Sequence, residues 1–161
     1  MTPDLQHPQI RSVVAVLEAA GATGELRILP DGVRTAAAAA EALGCQVGAI
    51  ANSLIFDADG EPVLILTSGS HRVDTAYVER EYGLSTLRKA SPDFVRTHTG
   101  QAIGGVAPVG HPKPLRTLVD RQLTDHDVVW AAAGHSHAVF ATSYDELVKL
   151  TGGEPVDVEA A

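Results

Sequence analysis

Apolar and polar positions alternate along this chain in two periods, and their order predicts the elements. From Pro8 to Ala20 the residues Ile10, Val13, Val14 and Leu17 recur at helical spacing, and Gly21 ends the segment. Leu26 to Leu29 reads as a short extended piece, followed by the turn signal Pro30-Asp31-Gly32. Thr35 stands as N-cap before a run of five alanines that ends at Leu43-Gly44. Gly48–Phe56 and Pro62–Thr67 read as two strands joined by an Asp57–Gly60 turn, the clearest hairpin in the sequence. Asp74 caps a helix reaching Tyr82-Gly83, Thr86 to Ala90 is a short strand, and Ser91-Pro92 opens a helix closed by Gly100. Leu115–Val119, Val128–Ala133 and His137–Thr142 are strand candidates, with an Asp120–Asp127 turn after the first. Ser143 and Glu146 form a capping box before a last helix ending at Gly152-Gly153. This order predicts one α/β or α+β domain over residues 1–153, built on a mixed, mostly antiparallel sheet, with 154–161 as an acidic mobile tail.

One stretch breaks both periods. Gly100 to Pro114 holds four glycines and three prolines in fifteen residues, too many for a helix or a strand. Such a loop can present backbone N–H groups at fixed positions to a phosphate or a developing oxyanion, Gly104 and Gly105 being the candidates. A plain surface connection is the competing reading.

Composition narrows the classes. The length, 161 residues, and a hydrophobic content of 45% suit one sizeable core, filled mainly by aliphatic residues because only 4% are aromatic. That scarcity argues against base-stacking platforms. No leader is read, since Asp4 stands where a basic region would be, and the uncharged hydrophobic run Gly44 to Phe56 is too short to span a bilayer. A cytoplasmic protein with no membrane partner is expected. The lone Cys45 allows no intrachain disulfide and reads as an apolar filler.

Net charge is −8, which disfavours a general nucleic-acid binder. Arg88 to Arg121, however, carries six basic residues against two acidic ones, so the Gly/Pro loop lies in the one basic segment of an acidic chain. A phosphate-bearing ligand would be steered there.

Chemistry-bearing residues are few. On the Gly48–Phe56 strand, period two puts Asn52 on a face with Ile50, Leu54 and Phe56, where an amide needs either a ligand or a structural partner. His135-Ser136-His137 has no accompanying HExxH pattern or carboxylate at ligand spacing, so neither a metal nor another cofactor is expected. His135 and His111 read as loop residues able to donate hydrogen bonds. A serine-hydrolase elbow, a P-loop and a dinucleotide glycine pattern are all missing from the sequence.

Several motifs together resemble the YbaK-like aminoacyl-tRNA deacylases, relatives of the editing domain inserted in bacterial prolyl-tRNA synthetases. They are I-A-N-S-L-I-F with its following D-x-x-G turn and V-L-I-L, H-R-V-D, T-G-x-x-I-G-G-V-A-P-V-G, T-L-V-D and A-A-A-G, spread over about residues 35–153. The resemblance implies an α/β fold with a mixed, barrel-like sheet and hydrolysis of the ester joining a wrong amino acid to tRNA. Its Gly-x-x-x-Pro loop against the aminoacyl ester and terminal adenosine is matched by Gly104 to Pro108. The resemblance assigns Asn52, Gly104 and Gly105 to catalysis. It assigns Ser53, Ile103, Val106 and Pro108 to substrate binding, with Gly110, His111, Lys113, Gly134 and His135 around them. Expected partners are the tRNA acceptor end and an aminoacyl-tRNA synthetase.

One departure stands out: the family's functional lysine falls at Asn52, which carries no charge and is shorter. Lys113 is a candidate substitute cation. Two functional readings follow, an editing deacylase and a catalytically silent relative that binds an aminoacyl-adenosine, a nucleotide or an amino acid. A purely structural partner protein would have no pocket at all.

Overall fold

The computed structural model describes residues 6–160. In chain order the elements are α1 (Pro8–Ala19), β1 (Leu26–Ile28), α2 (Ala36–Leu43), β2 (Ile50–Ala58), β3 (Glu61–Ser68), α3 (Thr75–Tyr82), β4 (Leu87–Lys89), α4 (Pro92–Thr99), β5 (Arg116–Asp120), β6 (Val129–Ala132), β7 (Ala138–Thr142), α5 (Tyr144–Thr151) and β8 (Glu154–Val156). Caps set the helix starts as expected. Thr35, Asp74, Ser91 and Ser143 each accept from the backbone N–H three residues on, at 3.0 to 3.1 Å. The capping box is only half made, because the Glu146 carboxylate accepts from the Thr142 hydroxyl at 2.6 Å instead of reaching back.

The strands form one mixed sheet in the order β1-β7-β6-β2-β3-β5-β8, with β4 added on β2. The β2–β3 hairpin turns on two residues, Asp59 at φ 53° and Gly60 at φ 89°, while Asp57 Oδ1 accepts from the Gly60 N–H. Two left-handed residues match the right-handed twist of the flanking strands. Antiparallel pairing joins β1–β7, β2–β3, β2–β4 and β6–β7, and parallel pairing joins β2–β6, β3–β5 and β5–β8. Buried on both faces, β3 reads as a continuous apolar run. Leu64 and Leu66 meet Ile10 and Val13 of α1 and Leu147 of α5, and Val63 and Ile65 meet Val78 of α3. A smaller cluster packs α2 through Ala39 and Ala40 on Ile50 and Trp130.

The tail expected to be mobile is corrected here. Glu154–Val156 pairs parallel with β5, and Val156 and Val158 are fully buried beside Leu118 and Ile65. Two aliphatic side chains in the core outweigh the acidic composition around them. No helix among the described residues is long and apolar enough to cross a membrane.

Candidate functional site

Strand β2 is lined by β3 over nearly its whole length, but its other edge is shared. There β6 pairs with Ile50 and Ala51, and β4 pairs with Phe56 to Ala58. Between them, Asn52 to Ile55 has no strand on that side. A cleft of about 560 Å³ opens over this gap. Its other walls are the segment from Leu29 into α2, the loop at Ile103, Gly104 and Val106, and the Ser136-His137 turn between β6 and β7.

The interior is mostly apolar, with Ile50, Phe56, Trp130 and Val139 among its walls. Against that background two polar atoms stand out. Ser53 Oγ and His137 Nε2 are buried without a hydrogen-bond partner, the two such side-chain atoms among the described residues, and both residues line this cleft. A buried polar atom without a partner is costly, so its recurrence at one place points to a ligand that completes it. His137 Nδ1 lies 3.1 Å from Ser136 Oγ, so the hydroxyl's orientation decides whether Nε2 donates or accepts. The Asn52 side chain also lines the cleft, with no hydrogen bond to the described residues.

The glycine loop is held open by buried side chains behind it. Gln101, 4% exposed, accepts from the Ala107 N–H at 2.6 Å and donates through Nε2 to the Val109 carbonyl at 3.2 Å. Thr99 Oγ1 donates to the Val95 carbonyl and accepts from the Gln101 N–H, tying the loop's start to α4. His111 Nε2 donates to the Ala107 carbonyl at 2.8 Å, and burial lowers its pKa below the ordinary 6.5. The sign follows directly. A depressed histidine pKa gives stability that is complete above about pH 6.5 and is lost as pH falls through the folded value. Between about pH 7.5 and 5.5, thermal melting of the wild type should therefore fall more steeply than that of His111→Gln, as read by calorimetry. Equal slopes would remove His111 from the loop's acid sensitivity. Some slope persists in the variant, because burial and the His7 and His137 charges depress His135 in the same direction.

The structure brings together some of the expected site residues and disperses others. Asn52, Ser53, Ile103, Gly104 and Val106 line the cleft. Gly105 does not offer its amide, which already donates to the Ala102 carbonyl at 3.0 Å. Instead it allows close approach, since a Cβ there would lie 2.7 Å from the His135 carbonyl carbon and the Ser136 nitrogen. Gly104, at φ 89°, has open space on its Cβ side, and no carbonyl of the described residues takes its N–H. Gly110 and His111 belong to a separate cleft of about 220 Å³ beside α1, and Gly134 packs on the Gln9 carbonyl. Pro108, Lys113 and His135 are not in the walls of the large cleft.

The basic segment is also redistributed in space. Arg116 and Arg121 face Glu154 and Asp157 at 3.9 and 3.0 Å, and Lys89 alone of the six basic residues lines the cleft. Sequence reading missed His137, Arg34 and Gln101. The unmatched polarity of His137 in an apolar wall is visible only once β7 is registered on β6.

This geometry has known counterparts. A model of the aminoacyl-tRNA editing domain matches residues 30–150. A crystal structure described as a candidate trans-editing enzyme for prolyl tRNA synthetase superposes with a TM-score of 0.90 at 40% identity, covering 96% of this chain and 99% of that one. The crystal structure of hypothetical protein APE2540 superposes at 0.81 with 32% identity, over 91% of this chain and 98% of its own. YwhH of Bacillus subtilis, uncharacterized, is 32% identical over 70% of this chain and 72% of its own length. Proline--tRNA ligase of Levilactobacillus brevis is 28% identical over 62% of this chain, which spans only 17% of that enzyme. A match over most of the chain, with full-length structural agreement, places this protein in the aminoacyl-tRNA editing domain family.

Proposed function

We propose that this chain acts in trans as an aminoacyl-tRNA deacylase, hydrolysing the ester of a mischarged tRNA whose terminal aminoacyl-adenosine enters the cleft. The observation that carries the reading is the pair of unpartnered buried atoms, Ser53 Oγ and His137 Nε2, in the walls of one apolar cleft. Water adds to the ester carbonyl, and the Gly104 N–H stabilises the oxyanion of the tetrahedral intermediate. Collapse breaks the bond between the carbonyl carbon and the ribose oxygen, which takes a proton, and the amino acid leaves as its carboxylate. The walls hold no carboxylate, and the substrate's neighbouring ribose hydroxyl orders the water and relays its proton, accepting it while passing its own to the departing ribose oxygen. Ser53 and His137 bind the substrate's polar groups, and Asn52 orients it without neutralising charge. The tRNA acceptor end is the partner, with an aminoacyl-tRNA synthetase supplying the mischarged product in the cytoplasm.

A second reading, a binding module without turnover, is favoured by Asn52, whose amide cannot give the charge-assisted contact of a lysine. A panel of mischarged tRNAs at low salt separates the two. The wild type should clear one species, and Ser53→Ala should lower kcat/KM about tenfold, near 1.4 kcal/mol. Its melting temperature should hold or rise, because the lost hydroxyl had no partner. No wild-type turnover, with activity gained in Asn52→Lys, would sink the deacylase and leave the binding module.

A further inference from the structure

We infer that Arg34 and Lys89 form an anion subsite at the mouth of the cleft, which holds the phosphodiester next to a single-stranded 3′-terminal nucleotide. The inference rests on the deacylase reading for its ligand and on charge and placement for its location. The walls of the cleft carry these two cations and no carboxylate, in a chain whose net charge is −8. The rest of the molecule is correspondingly more acidic, so an anion finds one favourable entrance.

Both side chains are available. Arg34 and Lys89 are exposed and make no ion pair or hydrogen bond with the described residues. Three cations are held in ion pairs, Arg27 with Glu25, Arg116 with Glu154 and Arg121 with Asp157, and the other unpaired ones lie outside the cleft. Position adds to this. Arg34 immediately precedes Thr35, the cap of α2, on one wall, and Lys89 ends β4 opposite Phe56, where the gap in β2 closes. Between them lies the largely apolar interior with Trp130 and Ile50, which holds no cation of its own. A ligand that matches has a flat, largely apolar body to enter and an anion left at the rim, as a terminal nucleoside with its 5′ phosphodiester does. Guanidinium and ammonium at that rim suit phosphate oxygens. A free aliphatic amino acid brings a carboxylate for the cations but no flat body to fill the interior behind it. The positive charge that Asn52 does not supply inside the cleft is thus present at its entrance.

The test uses the full chain and a fluorescent single-stranded RNA ending in CCA, with binding read by anisotropy across a salt series. Arg34→Gln and Lys89→Gln should each weaken binding about three- to tenfold and lower the slope of log affinity against log salt by about 0.7. Lys149→Gln, which removes an exposed cation of α5 outside the cleft, should do neither. With mischarged tRNA the same two variants should raise KM by a similar factor at constant kcat, and an aminoacyl-adenosine lacking the 5′ phosphate should be cleaved equally by all. Unchanged affinity and slope in both variants, or an equal loss in Lys149→Gln, would overturn the subsite. Competition by free AMP as strong as by the RNA would overturn its assignment to a phosphodiester. RNA binding that depends on Arg34 and Lys89, without turnover of any mischarged tRNA, would keep the subsite and remove the deacylase.

Discussion

Gly105→Ala should lower deacylation by about a hundredfold or more while most of the fold survives. The added Cβ would sit 2.7 Å from the His135 carbonyl carbon and the Ser136 nitrogen and 2.8 Å from the His135 Cα, closer than such contacts occur. All three are backbone atoms, so no side chain can swing aside. Relief requires the glycine loop and the β6–β7 turn to separate. Those two segments carry Gly104 and His137, so a single methyl group changes the distance between the proposed oxyanion donor and the proposed polar anchor. Displacement of about 1 Å in a positioning group is enough for the expected loss. Gly104→Ala makes the useful contrast, because its Cβ meets open space and only the strain of φ 89° opposes it. Its activity should fall less. Steady-state kinetics with a cleared mischarged tRNA decide the matter, and Gly105→Ala within threefold of wild type would mean that the two walls do not act together.

Gln101→Leu is expected to cost about 2–4 kcal/mol of stability, lowering the melting temperature by roughly 5–15 °C. Leucine is close in size, so packing alone predicts a small change. What it removes is the acceptor for the Ala107 N–H and the donor to the Val109 carbonyl, in a side chain that is 4% exposed. Both backbone groups would then be buried without partners, at about 1–3 kcal/mol each. The loop should lose its shape as well, so activity at temperatures well below melting should also fall. A melting temperature within about 2 °C of wild type would show that neither bond contributes to holding the loop.

Local chemistry was the most legible layer of this sequence. Thr35, Asp74, Ser91 and Ser143 were identified as caps because capping needs only a side-chain oxygen and the next three residues. Asp59-Gly60 was equally local. The tail was misjudged on composition, although Val156 and Val158 stand at strand spacing within the acidic stretch and both are fully buried. The basic segment misleads for a different reason: closeness in sequence is not closeness in space, and the tail's carboxylates pair with Arg116 and Arg121.

The site itself escaped in part because it follows an edge. Face periodicity singled out Asn52 and passed over the role of parity, but residues of both parities from Asn52 to Phe56 line the cleft. A gap between two strands that share one edge cannot be seen without their registers. Gln101 was hidden among the glycines and prolines of its loop, its importance resting on two carbonyl and amide partners six and eight residues on.

The cleft also has a mechanical character. It lies where two hairpins meet, β2–β3 and β6–β7, and their joining is two register pairs wide, Ile50 with Trp130 and Ala51 with Ala131. The walls of the site therefore rest on two hairpins, which share one core through Ala51, Leu64, Ala131 and Phe140. Any occupant that touches both walls acts as a clamp across this narrow joint.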